Sequence, residues 1–251
     1  MAEKETSAKE GWDLLDCPVC SGNDFDRLFE QRGEPFVRCR QCSFILINPR
    51  PNFASIAEGY NASYTSIYTK KAEKKIRRAK KTVKRLSRLA KGKERWLDLG
   101  CSAGYILLAA SQAGFEPYGL DIEPESIRYA RKELGLKKVV VGELTEQKYP
   151  DSFFDVITAY DVIEHVPDLN IFVSEIRRIL KRDGLIEIGT PDVGHWRVPS
   201  QLSQWKEIKP SEHLYYFTKS TLSTLLLKHG LRIRKRKFTL KPGIKAIVQH
   251  D

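Results

Sequence analysis

The stretch Arg95-Trp-Leu-Asp-Leu-Gly-Cys-Ser-Ala-Gly-Tyr-Ile-Leu-Leu-Ala-Ala110 constrains the fold of this chain more than any other. Trp96, Leu97 and Leu99 fit a short strand covered on both faces, as in a parallel sheet. Gly100 and Gly104 bracket a turn where the backbone meets a neighbour with no side chain between. From Ile106 to Ala110 an apolar helix begins, and its first N–H groups face whatever that turn holds. Strand, glycine turn and helix in this order point to an α/β fold.

Many nucleotide-binding sheets contain one such turn, so the surrounding segments decide its meaning. Phe115-Glu-Pro-Tyr-Gly-Leu-Asp121 reads as a second short strand ending in an acid about twenty residues beyond the turn. In a doubly wound sheet, an acid there lies over the switch-point crevice and can take both hydroxyls of a ribose. Phe153-Phe-Asp-Val-Ile-Thr-Ala-Tyr-Asp-Val-Ile-Glu-His-Val-Pro167 is a further strand running into a loop of ionisable side chains. The interval from Gly100 to Gly104 does not give G-x-G-x-x-G, which disfavours a dinucleotide dehydrogenase.

Four pieces in order, Asp98-Leu-Gly-Cys-Ser-Ala-Gly104, Gly119-Leu-Asp-Ile122, Phe153-Phe-Asp-Val156 and Asp161-Val-Ile-Glu-His-Val-Pro-Asp168, resemble the class I S-adenosylmethionine-dependent methyltransferases. The resemblance covers roughly Tyr60 to the C-terminus. It implies a Rossmann-like, doubly wound and mostly parallel seven-stranded sheet that ends in an antiparallel pair, Leu231 to Leu240 and Ile244 to Val248. It implies S-adenosylmethionine as cofactor, with Asp98, Gly100, Gly104 and Asp121 around it. Glu143 matches a position that meets the adenine amino group, and Tyr160 one that lines the pocket. Ser102 stands where the family has a middle glycine, a small residue that keeps the turn possible. Tyr60 or Tyr64 matches a tyrosine that closes over the methionine end; covering the sheet is an equal alternative.

Cys17-Pro-Val-Cys20 and Cys39-Arg-Gln-Cys42 are two C-x-x-C knuckles separated by eighteen residues. This spacing predicts a four-thiolate zinc ribbon, with Phe25, Leu28, Phe29, Phe36, Val37, Phe44 and Ile45 in its strands. So small a segment needs the metal to fold, and four thiolates leave no open position, so the zinc is expected to be structural. Two disulfides are the alternative, requiring an oxidising compartment. Cys101 reads as a packing residue in the glycine turn.

Lys70 to Arg95 carries fourteen Lys and Arg against two Glu, while the whole chain has a net charge of +11, so the remainder is nearly neutral. Ala72, Ile76, Ala79, Val83, Leu86 and Leu89 recur at helical spacing beneath this charge, predicting an amphipathic helix with a wide basic face. Such a face suits an anionic partner, RNA or an anionic lipid surface, or serves as a solvated helix. The organisation expected is therefore a zinc ribbon over 1–50, a linker and basic helix over 51–95, and the methyltransferase domain over 96–251. No apolar run approaches membrane-spanning length, and 1–10 is polar, so a cytoplasmic protein is expected.

Methyl transfer from a sulfonium needs in-line positioning and, for a hydroxyl or acidic carbon, removal of a proton. His165, just past the fourth strand, is a candidate general base with an ordinary pKa near neutrality, or a packing residue at the next helix. The segment from Asp192 to Phe217 is a long insertion rich in aromatics, resembling a lid over the acceptor; an aromatic flap that only packs over the sheet is an equal alternative. His213 in it is the second candidate acid/base, with Trp196, Trp205 and Tyr215 as candidate pocket walls. The activity expected is methylation at oxygen or carbon of a small-molecule, sugar or glycan/lipid-linked acceptor. Two rivals are an RNA base methyltransferase gripping RNA with the basic helix, and a non-catalytic binding scaffold on the same fold. The loop after the fourth strand lacks the Asn/Asp-Pro-Pro-aromatic run of many base methylators, and intact Gly100, Gly104 and Asp121 argue against a scaffold.

Overall fold

The computed structural model describes residues 11–52, 72–92 and 94–251. The tyrosines at 60, 64 and 68 lie outside these residues. The main sheet contains β6 (Arg95–Leu99), β7 (Glu116–Asp121), β8 (Val139–Val141), β9 (Phe154–Tyr160), β10 (Leu180–Thr190), β12 (Leu231–Arg236) and β13 (Ile244–His250). Their order is β12-β13-β10-β9-β6-β7-β8. Strands β6 to β10 are parallel, whereas β13 runs antiparallel to both β10 and β12. This is the expected seven-stranded, doubly wound sheet, and its order reverses between β6 and β9.

Strand β9 is buried along nearly its whole length, as a parallel strand covered on both faces must be. Helices α2 (Tyr105–Gln112), α3 (Pro124–Lys132), α4 (Leu169–Ile179) and α5 (Lys219–Lys228) supply the covering layers. Asp168 caps α4, accepting from Ile171 N at 2.9 Å. The helix ends at Ile179, and its buried face is Leu169, Phe172, Val173, Ile176 and Ile179. Ile171, on the opposite side of the helix, is 56% exposed. The final hairpin is also shorter than expected: β12 stops at Arg236, leaving Phe238 and Leu240 exposed.

The basic helix α1 spans Ala72–Ser87. Ala79, Val83 and Leu86 pack with Trp96, Tyr105 and Leu107 in one apolar cluster, so the amphipathic pattern buries as read. Leu89 lies beyond the helix end and is 46% exposed. Arg85 pairs with Glu187, which is buried on β10 and also bridged by Lys245 Nζ at 2.9 Å. One basic side chain of α1 thus fastens the helix to the sheet.

The N-terminal segment forms β1 (Trp12–Asp13), β2 (Phe25–Gln31), β3 (Glu34–Cys39), β4 (Ile45–Ile47) and β5 (Arg50–Pro51). Its sheet does not close within this segment: β11 (Tyr215–Tyr216), from the long insertion, pairs antiparallel with β4. Phe44 packs between Tyr215 and Phe217, with ring centroids 6.1 and 5.2 Å away. Cys17 and Cys39 belong to the same apolar cluster as the main-sheet residues Ile157 and Ile188. The ribbon and the sheet therefore share one core.

Candidate functional site

At the carboxyl end of β6 the chain turns through Gly100, Ser102 and Gly104, with φ of 63°, 47° and 80°. All three lie in the left-handed region, which favours glycine. A Cβ at Gly100 would meet Val162 Cγ2 at 2.6 Å, and one at Gly104 would meet Leu136 Cδ1 at 2.5 Å. Ser102 is held in its conformation by donating its backbone N–H to Asp121 Oδ2 at 2.8 Å. The other oxygen of Asp121 accepts from Glu123 N at 2.9 Å. Asp121 is thereby fixed at the tip of β7, beside the turn. Burial raises its carboxyl above the ordinary range, against the pull of these amides.

A cavity of about 350 Å³ opens over this end of the sheet. Gly100, Asp121 and Glu143 line it with the apolar Ile122, Leu144 and Val162. Such a crevice at the switch point, apolar with a fixed acid, fits a nucleoside with its ribose on Asp121. Glu143 is partly exposed at the rim, and its backbone N–H donates to Glu146 Oε2 at 2.8 Å.

A second cavity of about 780 Å³ adjoins it, sharing Leu99, Gly100, Asp161 and His165. Asp98, Tyr160, Lys209, His213 and Lys245 line this side. Asp98 is buried and fixed across β6 and β9: Trp96 Nε1 donates to Thr158 Oγ1 at 3.1 Å, and Thr158 Oγ1 donates to Asp98 Oδ1 at 2.6 Å. Desolvation raises the Asp98 carboxyl to about 7. In the same lining, desolvation lowers the Lys245 ammonium to about 8, and its Nζ lies 4.3 Å from the Tyr160 ring centroid. Lys75 and Arg78 of α1 also face the second cavity. Lys80, Lys81 and Lys84 instead border a separate shallow groove on the outer side of that helix.

The two histidine candidates meet although they come from distant segments. The rings of His165 and His213 are edge to face, with centroids 4.7 Å apart. Burial lowers His165 to about 4 and His213 to about 3, so both are neutral at pH 7, and the near-neutral value expected for a free imidazole is not kept. Glu164, which the sequence reading passed over, is buried beside them; its Oε2 accepts from Thr190 Oγ1 at 3.0 Å. The adjacency of Glu164 and His165 was the only sequence signal for it. Lys209, Lys241 and Lys245 were missed for the same reason: each looked like ordinary surface charge.

The expected aromatic walls need correction. Tyr215 faces the ribbon, accepting from Arg50 Nη1 at 2.7 Å and donating to Pro167 O at 3.0 Å. Trp205 is buried with Phe36, Ile45, Ile47 and Tyr216. Trp196 is 72% exposed, and none of the three lines either cavity. Covering the ribbon sheet with apolar area prevailed over lining a polar cavity. His195 is buried elsewhere, its Nε2 within 3.2 Å of Thr239 O.

In the ribbon, the two knuckles repeat one backbone device. Cys17 O accepts from Ser21 N and Cys39 O from Ser43 N, each at 2.8 Å, with Ser21 and Ser43 at φ of 63° and 62°. Cys17 and Cys42 Sγ are 3.5 Å apart, as are Cys20 and Cys39 Sγ. All four sulfurs lie within 4.8 Å of one another, compatible with a zinc ribbon, in which a Zn–S bond of about 2.3 Å places sulfurs just under 4 Å apart.

A doubly wound sheet with its crevice at the switch point is the architecture of α/β domains that hold a nucleoside-bearing cofactor. Within that class the chain belongs to the methyltransferase domain family, whose model matches residues 68–236. A probable S-adenosylmethionine-dependent methyltransferase of Mycolicibacterium smegmatis is 30% identical over 117 residues, covering 47% of this chain and 45% of that protein. A ubiquinone biosynthesis O-methyltransferase of Yersinia enterocolitica is 33% identical over 100 residues, covering 38% of this chain and 41% of that protein. The match thus spans less than half the length of these curated relatives. The crystal structure of a TehB-like SAM-dependent methyltransferase from Corynebacterium glutamicum superposes with a TM-score of 0.56 at 17% identity, covering 76% of this chain and all of that one. At that identity the likeness concerns the fold.

Proposed function

We propose that this chain transfers the methyl group of S-adenosylmethionine to an oxygen or carbon of a small-molecule, sugar or glycan/lipid-linked acceptor. The observation that carries this reading is the meeting of the two cavities at Gly100, Asp161 and His165. A donor with its nucleoside in the first cavity and its methionine end reaching Asp98 through the junction would meet an acceptor in the rest of the second, the positioning an in-line transfer needs. Bound S-adenosylmethionine supplies the activated methyl group. Asp121 would take the ribose hydroxyls and Glu143 the adenine amino group, with Ile122 and Leu144 against the base. Gly100 leaves room for a ligand to approach the backbone, Gly104 lets the turn close against Leu136 and Ala130, Tyr160 lines the second cavity, and Asp98 would face the cationic methionine end.

His165 and His213, held neutral, would accept a hydrogen bond from an acceptor hydroxyl and orient its oxygen. Lys209, Lys241 and Lys245 favour an acceptor with negative charge or many hydroxyls. Cys17, Cys20, Cys39 and Cys42 would hold a structural Zn²⁺ that braces the insertion carrying His213. A second reading, RNA as acceptor, is favoured by one observation: the outer groove of α1 is bordered by Arg77, Lys80, Lys81 and Lys84.

Incubation with methyl-labelled cofactor and separated RNA, protein, lipid and small-glycan or metabolite fractions tests both. Label in the glycan, metabolite or lipid fraction supports the first reading. Label in RNA overturns it in favour of the second.

A further inference from the structure

The three most exposed large apolar side chains among the described residues are Phe238 at 79%, Trp196 at 72% and Leu240 at 61%. They come from two separate segments, the insertion and the β12–β13 connection, yet they meet in one place. The Trp196 ring stacks on His195 with centroids 5.5 Å apart. His195 Nδ1 accepts from Arg197 N at 3.1 Å, so Nε2 carries the proton and donates to Thr239 O at 3.2 Å. Thr239 is half-buried and lines the second cavity, while its neighbours Phe238 and Leu240 are left in solvent. Apolar residues exposed singly need no explanation, but three gathered on one rim mark an interaction surface.

This rim has a held shape. Lys237 N donates to Lys245 O at 2.8 Å, and Thr239 Oγ1 donates to Gly243 O at 2.6 Å, which closes the hairpin tip. The Arg197 guanidinium lies 4.5 Å from the Trp196 ring centroid. Folding gains no hydrophobic burial from apolar tips fixed in water.

The surroundings carry one sign of charge. From Lys219 to His250 there are nine Lys and Arg and no Asp or Glu, and from Val193 to Lys206 two basic residues and no acid. Arg197, Lys237 and Lys241, next to the tips in the chain, are exposed, and none of them forms an ion pair with a described residue. Such a surface suits a partner that is apolar inside and anionic at its face.

We propose that Trp196, Phe238 and Leu240, with Arg197, Lys237 and Lys241, dock this protein on an anionic phospholipid bilayer. Aromatic rings settle at the depth of the headgroups, and an aliphatic tip enters the acyl boundary. Basic side chains lay their stems along the apolar surface and keep their charges at the phosphates. Single-stranded RNA would stack on the two rings but gives Leu240 no partner. Thr239, Lys241 and Pro242 line the second cavity, so docking sets this wall of the cavity at the membrane surface. The docking does not rest on the methyltransferase reading; the entry of a lipid-linked acceptor from the membrane does.

The test is co-sedimentation of the full chain, purified with Zn²⁺ and without cofactor or acceptor, with two kinds of vesicle. One is phosphatidylcholine alone, and the other carries about one third phosphatidylglycerol. Partitioning onto the anionic vesicles is expected to be at least about tenfold stronger, with a blue shift of tryptophan emission that Trp196→Phe removes. Phe238→Ser combined with Leu240→Ser should weaken it by about tenfold or more at an unchanged melting temperature, since both side chains are exposed. Lys81→Gln combined with Lys84→Gln, on the outer side of α1, should retain it. No partitioning, equal partitioning onto both vesicles, or a blue shift that persists in Trp196→Phe overturns the docking surface. Partitioning that survives the loss of Phe238 and Leu240 but not of Lys81 and Lys84 overturns it in favour of α1. Self-association lost in the Phe238 and Leu240 variant, or an oligouridine bound there in place of vesicles, overturns it in favour of a second copy or RNA. Each of these results is read without methyl transfer, so the acceptor reading stands or falls separately.

Discussion

The two cavities are neighbours, yet they are built in opposite ways. The first is walled almost entirely by consecutive crossovers, from Leu99 through Asp121 and Glu143 to Phe172, with only Ser211 and Glu212 added from farther along. Any doubly wound sheet opens a crevice where its strand order reverses, so local rules suffice to make it. The second gathers α1, the β6 turn, the loop after β9, the end of β10, the insertion and the β12–β13 connection. Nothing local holds these together. The bracing comes from the ribbon: Arg50 donates to Tyr215 Oη and to Pro167 O, and Glu34 accepts from Ser211 N at 2.8 Å. A general crevice for the donor and a custom-braced chamber beside it is the division this molecule teaches.

Chelating the zinc proposed for the ribbon should break the comparison most severely. The free energy of structural zinc binding is also folding free energy, so without zinc the ribbon should no longer hold β11, Pro167 or Ser211. Chelation, or Cys39→Ser, is expected to reduce methyl transfer by about 100-fold or more while cofactor affinity by calorimetry changes less than about tenfold. Equal loss of both would mean that the two cavities are a single unit.

Asp121→Ala attacks the other side. It removes an acceptor fixed by two backbone amides, and hydrogen bonds to charged groups contribute about 1.5–3 kcal/mol each. Cofactor affinity should fall by about 10- to 100-fold, with the melting temperature changed little. Unchanged cofactor binding would remove Asp121 from the site.

A smaller effect should be read from pH. The Asp98 carboxyl is raised to about 7, so at pH 6 it is mostly protonated and at pH 8 mostly charged. A cationic cofactor end binds the charged form better, so affinity should rise about tenfold from pH 6 to pH 8. The stability of the free protein moves the other way. A raised native pKa contributes stability that is present below the unfolded value and lost as pH rises through about 7. Asp98→Asn should flatten both profiles; a profile that persists would assign the titration to another group.

The smallest expected effect sharpens the role of the brace. Tyr215→Phe keeps the ring against Phe44 but removes the hydroxyl shared by Arg50 and Pro167. A loss of about 1–2 kcal/mol in unfolding free energy is expected, with methyl transfer affected more than cofactor binding. A change in cofactor binding alone would contradict the bracing scheme.

Much of the donor side was legible because its signals are short-range. Gly100 and Gly104 announce the turn, Asp121 follows at a fixed interval, and unbroken apolar strands mark a parallel sheet. The ribbon was legible for the same reason, since C-x-x-C spacing carries its own geometry. Ser102 was a departure from pattern that the sequence could only tolerate; the hydrogen bond from its backbone to Asp121 explains why it succeeds. Trp205 and Tyr215 were misassigned because aromatic residues in a long insertion look alike whether they cover a cavity or a neighbouring sheet. Glu164 gave no sign of burial, since it becomes an interior residue only when the insertion folds back over it.

By itself, then, the sequence determined the order of elements, the switch-point crevice, the family resemblance and the four-cysteine cluster. All of these depend on spacings within one or two elements. Only the tertiary structure decided that β11 completes the ribbon sheet, that Arg50 and Glu34 fasten the insertion, and that His213 meets Glu164 and His165. Those contacts join residues far apart in the chain, where periodicity and spacing carry no information and packing of a shared core chooses the partners.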